Sequence, residues 1–420
     1  MWIKLEPLDG QLKATWGNNA GFYPDSYFVG PRSLEIVAAA LRAELKQLST
    51  WAGSTDPRRR WEGLTALANA GSKLRYELFN DRERRAAVRS LQTWIADEYR
   101  DGDRELSIQA DATIHVPWGL VYDGAVPDGY VAAPRPGPIP QPTLNAGNGD
   151  PASAPDSSAQ CDETLALSAH EMQAFGGFWS QKFRVSATPS GDRRSRARMT
   201  RPRKTFGLLS LVNEDVQKQM EIDLGQSKYR EFCEVLSPPV GVAYNLSCCQ
   251  DLIDKTEQVD ILFHYLGHHD NELLDLGRGG KVDYVQFSQL LDALSDRGYV
   301  RGAQPCGLLF INGCESAVGD EDYTLRSETK RPELCGIIAT ESRVRRTYAA
   351  EFGFRFLHAM VVDGKTVAST MDELHNDPGL WPESLLYGCY ARPEYCIEKA
   401  PAVVAPEVNV PQATPVAGTA

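Results

Sequence analysis

The chain has 420 residues, 42% of them hydrophobic, with 44 Lys and Arg against 56 Asp and Glu and a formal net charge of -12. That length buries a substantial core and accommodates one large α/β domain with insertions or two to three average domains. The acidic balance argues against nucleic acid or an anionic membrane as the main partner, because the mean field repels a polyanion.

Residues 1–10, MWIKLEPLDG, carry neither the basic nor the apolar segment of a signal peptide, and no apolar run approaches the roughly 18 to 20 residues that cross a bilayer. The expectation is a cytoplasmic protein with no membrane segment. Residues 33–48 and 57–100 have the Leu and Ala spacing of helices. LSIQAD (106–111) and WGLVYDG (118–124) are expected as a short hairpin or paired strands, punctuated by Pro117 and Gly124. These elements make residues 1–130 an N-terminal part that ends at a linker. Residues 131–160 hold seven of the 26 prolines, with Gly, Ala and Ser and no apolar period, and read as that linker or as a long loop.

Within residues 161–398, the expected core, a basic stretch at 190–205 packs seven Arg and Lys between 193 and 204 and is too self-repelling to be a core element. It reads as an exposed loop. From residue 206 onward strands and helices alternate: a strand at 206–214, a helix at 225–236, a strand at 240–246, a helix at 248–256 and the strand VDILFHYL (259–266). A helix at 284–298, strands at 306–313 and 334–341 and a helix at 345–364 continue the series. Residues 399–420, rich in Pro and Ala, are expected as a disordered tail. Short apolar strands separated by helix-sized segments are βαβ units, so the expected fold class is α/β, a mostly parallel sheet flanked by helices, with an N-terminal helical and hairpin extension and long inserted loops. Ligand sites in such sheets lie beyond the carboxyl ends of the strands.

Two strand ends carry reactive side chains. VDILFHYL runs into Gly267, His268 and His269, and CGLLFING (306–313) runs into Cys314 and Glu315. His264 and His268 have H-x-x-x-H spacing, which chelates a metal only on a helix. In an extended segment that spacing spans roughly 13 Å at about 3.3 Å per residue, so neither a metal nor another cofactor is expected. His268 and Cys314 would emerge at the same sheet edge, and would come within hydrogen-bond reach if their strands are neighbours. A catalytic thiol needs an accessible thiolate, a nearby base and donors for the oxyanion. Cys314, in a strand-to-turn transition just after a glycine, has the setting for this. The plainer role of a strand-end cysteine is a small buried hydrophobe, and that role is expected for Cys248, Cys249, Cys306, Cys335 and Cys389. Nine cysteines without a C-x-x-C pair predict reduced thiols rather than a disulfide framework or a zinc site.

The segments HYLGHHD and LLFINGCESA resemble the His-Gly and Ala-Cys-Glu-Ser strand ends of caspase-like cysteine peptidases, most closely the CHAT group of bacteria. IQADATIHVPWGLVYDG, GIIATESRVRRTYAAEFGFRFL and LLYGCYARPEY are similar to further CHAT segments, so the resemblance runs from about residue 70 to 396. It implies a caspase-like fold and a cysteine endopeptidase with Cys314 as nucleophile and His268 as general acid/base. The oxyanion hole would be formed by the backbone N–H groups of Cys314 and His269. His269 stands where the family usually has glycine, and Gly119 where it commonly has glutamate. By position the substrate pocket would draw on Glu214, Asp215, Asn312 and Glu341, whose acids suit an Arg or Lys side chain; solvated turn carboxylates are the plainer reading. Arg193, Arg194, Arg196, Arg198, Arg201 and Arg203 mark a candidate processing loop, for which an exposed loop without a role is the alternative. The partners implied are a protein substrate and an activating partner or upstream protease, in bacterial defence or stress signalling. Two other readings stay open: an inactive caspase-like scaffold that recruits nucleic acid or an acidic partner through the basic loop, and a Cys-His acyltransferase or amidase.

Overall fold

A computed structural model of the chain describes residues 1–18, 20–102, 104–110, 114–132, 157–189, 200–202, 206–236, 241–255, 260–270, 273–299, 307–318, 325, 328, 331 and 334–398. The linker prolines, most of the basic segment and the tail at 399–420 lie outside the described residues.

The N-terminal part opens with the strands β1 (Trp2–Leu8), β2 (Gln11–Asn18), β3 (Gly21–Phe22) and β4 (Tyr27–Val29). The helices α1 (Pro31–Trp51), α2 (Pro57–Leu78) and α3 (Arg85–Arg100) follow, then β5 (Glu105–Ala110), α4 (Ser157–Ala174), α5 (Trp179–Lys182) and β6 (Arg184–Pro189). Its sheet runs β3-β2-β1-β5-β6, with β4 added to β2. In β1, β2 and β5 the buried residues Ile3 and Leu5, Leu12, Ala14 and Trp16, and Leu106, Ile108 and Ala110 alternate with less buried ones, so one face carries the core. The hairpin expected from LSIQAD and WGLVYDG does not form. β5 pairs in parallel with β1 and β6, while Trp118–Leu120 make a 3-10 turn after Pro117 and Tyr122 bridges to Phe178. Trp118, Leu120, Val121 and Tyr122 are all buried, and a run without alternation cannot present one face to a two-stranded ladder. The sheet also extends past the boundary expected at residue 160, because β6 supplies its last strand.

Next in the chain is β7 (Thr200–Pro202), which pairs in parallel with Cys396–Glu398 near the C-terminus. Arg201 therefore lies opposite Ile397 in a ladder instead of an open loop, which is possible because backbone groups and not the charged side chains make the bonds. Arg193, Arg194, Arg196, Arg198 and Arg203 lie outside the described residues.

The second large sheet is built from β8 (Phe206–Val212), β9 (Gly241–Ala243), β10 (Asp260–Leu266), β14 (Gly307–Asn312), β15 (Leu334–Thr340) and β16 (Tyr387–Ala391); the small strands β11 (His268–Asp270), β12 (Leu273–Asp275) and β13 (Lys281–Val282) form a separate sheet after β10. Between them run α6 (Glu214–Leu224), α7 (Gln226–Leu236), α8 (Leu246–Lys255), α9 (Tyr284–Tyr299), α10 (Arg346–Leu357) and α11 (Val367–His375), and β17 (Cys396–Glu398) closes the series. The order is β9-β8-β10-β14-β15-β16, parallel except for β16. In chain order this is 2-1-3-4-5-6, with the reversal of direction beside β8 and β10, where an open α/β sheet leaves a crevice.

Every residue of β14 is buried, as a central strand covered on both faces requires. Phe310 packs on Phe356 of α10 with ring centroids 4.4 Å apart, while Phe263, from the opposite face, packs on Phe287 of α9 at 5.4 Å. No helix among the described residues is long and apolar enough to cross a membrane.

Two histidines are fully enclosed. His264 stacks on Phe310 and lies 3.3 Å from Ser210 Oγ, and His375 Nε2 lies 3.2 Å from the Tyr387 carbonyl. Burial pushes His264 down to about 3 and His375 down to about 4, against roughly 6.5 when unfolded. As pH falls below that unfolded value the unfolded chain takes up protons that the native fold refuses. Stability therefore drops by about 1.4 kcal/mol per pH unit for each histidine, down to its native value. Urea midpoints measured between pH 7 and pH 5 should fall accordingly, and His375→Asn should flatten the slope; a midpoint independent of pH over that range contradicts the assignment.

Candidate active site

β10 and β14 are hydrogen-bonded neighbours in register, with Leu266 opposite Asn312. The segments that follow, Gly267-His268-His269 and Gly313-Cys314-Glu315, leave the same edge of the sheet side by side. Their approach explains Gly313: a Cβ there would lie 3.2 Å from the Gly267 carbonyl oxygen, 3.2 Å from His269 Cβ and 3.0 Å from Tyr265 Cε1. A side chain would wedge the two turns apart.

The histidine turn is fixed from below. The Tyr265 hydroxyl donates to the His268 carbonyl at 2.6 Å and to the Asp275 carbonyl at 3.2 Å. Burial, reinforced by the Asp275 carboxylate, pushes this phenol well above its usual range, which keeps it a donor. His268 opens β11 and is exposed, and its imidazole has no hydrogen-bond partner among the described residues. The ring that reaches across is His269, whose Nδ1 lies 2.9 Å from the Cys314 carbonyl oxygen. Since a carbonyl only accepts, Nδ1 carries the proton in this contact.

The cysteine turn is tied to β15. Thr340 Oγ1 donates to the Gly313 carbonyl, Ser316 Oγ donates to the Ile311 carbonyl at 3.0 Å and accepts from the Thr340 N–H at 3.0 Å, and the Glu315 N–H donates to the Ser342 carbonyl at 3.0 Å. Glu315 has φ of 53°, a left-handed conformation that a non-glycine residue adopts only when its surroundings hold it. Cys314 is half-buried, its Sγ directed at the Val344 carbonyl 3.7 Å away, and its N–H has no partner among the described residues.

The proposed pocket residues do not converge. Asn312 is 2% exposed and its amide is spent internally, donating to the Ala349 carbonyl at 2.8 Å and accepting from the Tyr387 hydroxyl at 2.6 Å. It supports the cysteine turn from beneath and does not face a substrate. Glu214 and Asp215 belong to the first turn of α6, capped by Asn213, where acids complement the helix dipole. Lys218 takes Glu214 and holds its carboxyl below the usual range. Glu341 is buried and paired with Arg42 of α1, Nε to Oε2 at 3.2 Å.

Arg42 and Lys46 come from the N-terminal part and carry no local signal that ties them to residues so far along the chain. Lys46 Nζ lies 3.1 Å from Glu315 Oε1. A small cavity of about 20 Å³ at the seam of the two large sheets is lined by Trp118, Ser180, Glu341 and Tyr387 among others, but neither His268 nor Cys314 lines it.

The arrangement therefore offers a half-buried thiol, a backbone N–H at the same residue with no partner among the described residues, and two imidazoles on the adjoining turn. That set can perform nucleophilic acyl chemistry. No protein-family model matches the chain, and no curated protein matches it.

Proposed function

We propose that the protein is a cysteine endopeptidase of the CHAT, caspase-like type. One observation carries this reading: Cys314 and the histidine pair leave the carboxyl ends of adjacent parallel strands and touch through the His269 to Cys314 contact. In this reading the Cys314 thiolate attacks the scissile carbonyl carbon, and the oxyanion is received by the N–H groups of Cys314 and His269. His268, free to turn on the exposed side of β11, takes the thiol proton and returns it to the leaving amine; water then cleaves the thioester. A preference for Arg or Lys before the cut would rest on Asp215, because Glu214 and Glu341 are already paired. Control by a partner, a signal or processing, and a place in bacterial defence or stress signalling, complete the proposal.

Two substitutions divide the histidine roles. In a peptide-library cleavage assay His268→Ala should lose about 10² to 10⁴ in rate, the usual share of a general acid/base. His269→Ala removes one tether and should cost roughly tenfold or less, the scale of one neutral hydrogen bond. The opposite order would move the base to His269.

A second reading, an inactive scaffold, is favoured by the His268 imidazole making no hydrogen bond to Cys314. Thiol alkylation at neutral pH separates the two: a scaffold's Cys314 reacts no faster than the exposed Cys248.

A further inference from the structure

We propose that Tyr265 is the positioning residue that sets the histidine turn against the cysteine turn: its hydroxyl holds the first and its ring spaces the second. The catalytic consequence rests on the peptidase reading; the placement of the two turns does not.

Two glycines point to the ring. Gly267 precedes His268 and Gly313 precedes Cys314, and neither has a positive φ, so backbone freedom requires a glycine at neither position. Space does. A Cβ on Gly267 would lie 2.5 Å from Tyr265 Oη, 2.8 Å from Tyr265 Cζ and 2.8 Å from the Asp275 carbonyl oxygen. A Cβ on Gly313 would lie 3.0 Å from Tyr265 Cε1. One phenol therefore lies against both turns, and each turn has given up its side chain at the point of contact.

The hydroxyl ties down the histidine side. His268 and Asp275 face each other across the β11–β12 ladder, and Tyr265 Oη reaches the carbonyls of both, at 2.6 Å and 3.2 Å. Asn213 Nδ2 also donates to the Asp275 carbonyl, at 3.0 Å, so that oxygen keeps a partner without the phenol. Among the described residues no other side chain donates to the His268 carbonyl. The next residue, His269, then meets the Cys314 carbonyl at 2.9 Å.

Tyr265 can serve as a fixed point because its own backbone is fixed. It is wholly buried in β10, opposite Leu211 of β8 and Ile311 of β14. Its side chain thus carries the register of the sheet outward: from the strand to the ring, from the hydroxyl to the His268 carbonyl, and from His269 to the cysteine turn.

Full-length protein carrying ¹⁵N-labelled histidine, studied by NMR at about pH 8, where an ordinary imidazole is neutral, tests this, since the ring nitrogens report which of them holds the proton. His269, assigned with His269→Gln, should carry its proton on Nδ1 in the wild type, as its contact with a carbonyl demands. Tyr265→Phe keeps the ring and removes the donor. It should move His269 toward the Nε2–H form that a solvated imidazole prefers, while the tautomers of the buried His264 and His375 stay as they are. On a peptide cleaved from a mixed library, kcat should fall about ten- to hundredfold, the scale of a small misplacement of reacting groups, with KM changed by less than about threefold. A His269 still protonated on Nδ1 in Tyr265→Phe, an unchanged kcat, or a loss confined to KM overturns the proposal. So does a variant in which His264 and His375 change as well, because the hydroxyl would then serve the fold and not the turns. A wild-type protein that cleaves no peptide counts instead against the peptidase reading, and the His269 tautomer then decides the role of Tyr265.

Discussion

If Cys314 is the nucleophile, Cys314→Ala should abolish cleavage of a mixed peptide library, a loss of about three orders of magnitude or more, as removal of a covalent nucleophile generally produces. The fold should be indifferent to the change. The turn is held by Thr340, Ser316, Ser342 and His269, all through atoms other than Sγ, and Sγ itself makes only the 3.7 Å contact with the Val344 carbonyl. The melting temperature of the variant should therefore stay within a few degrees of wild type, so that lost activity reports lost chemistry. Equal cleavage by wild type and Cys314→Ala would remove the peptidase assignment. The scaffold and the acyltransferase readings would then be compared by thiol reactivity and by acyl transfer to small amines.

Arg60→Met should destabilise the chain by about 3–5 kcal/mol, the cost of leaving a buried carboxylate without its partner. Arg60 of α2 meets Glu171 of α4 in a two-pronged pair, Nε to Oε1 at 2.9 Å and Nη2 to Oε2 at 2.6 Å, and Nη1 donates to the Ala52 carbonyl at 2.6 Å. Both side chains are almost wholly buried, so solvent cannot take over either charge. Methionine keeps the aliphatic part of the side chain and removes the guanidinium, so the loss combines the unpaired carboxylate with a smaller share from the space the guanidinium leaves. Urea denaturation at neutral pH measures it. Arg60→Met with Glu171→Gln should recover part of the deficit, because a neutral amide needs less compensation than a carboxylate. A single variant within about 1 kcal/mol of wild type would show that the pair is not buried as described.

The two predictions address different halves of the chain, and the halves were unequally legible. The alternating apolar strands and helices after residue 206 announce a parallel sheet, and its members appear within a few residues of where they are expected. β8, β10, β14 and β15 are predominantly apolar, interrupted only by single polar residues such as Ser210 and His264, as burial on both faces demands. The α6 helix is hard to read from sequence because EDVQKQMEIDL lacks a strong apolar stripe; its signal is Asn213, whose side chain caps the N–H groups of Asp215 and Val216. WIKLEPL alternates and signals the first strand, whereas WGLVYDG resembles a strand without being one, because apolar residues beside a turn residue look the same whether they line a ladder or fill a core.

At the site, the available chemistry is written into short segments: a cysteine after a glycine at one strand end, histidines after a glycine at another, and an extended spacing that keeps His264 and His268 on opposite sides of a turn. Those are local properties of short segments. The folded chain alone makes β10 and β14 neighbours, brings His269 to the cysteine turn, points Asn312 inward, and sets Arg42 and Lys46 against Glu341 and Glu315. The physical reason is that hydrogen bonds and ion pairs act over a few ångströms in space. The residues that meet here are separated by tens to hundreds of positions in the chain, and local periodicity carries no information about which of them the fold brings together.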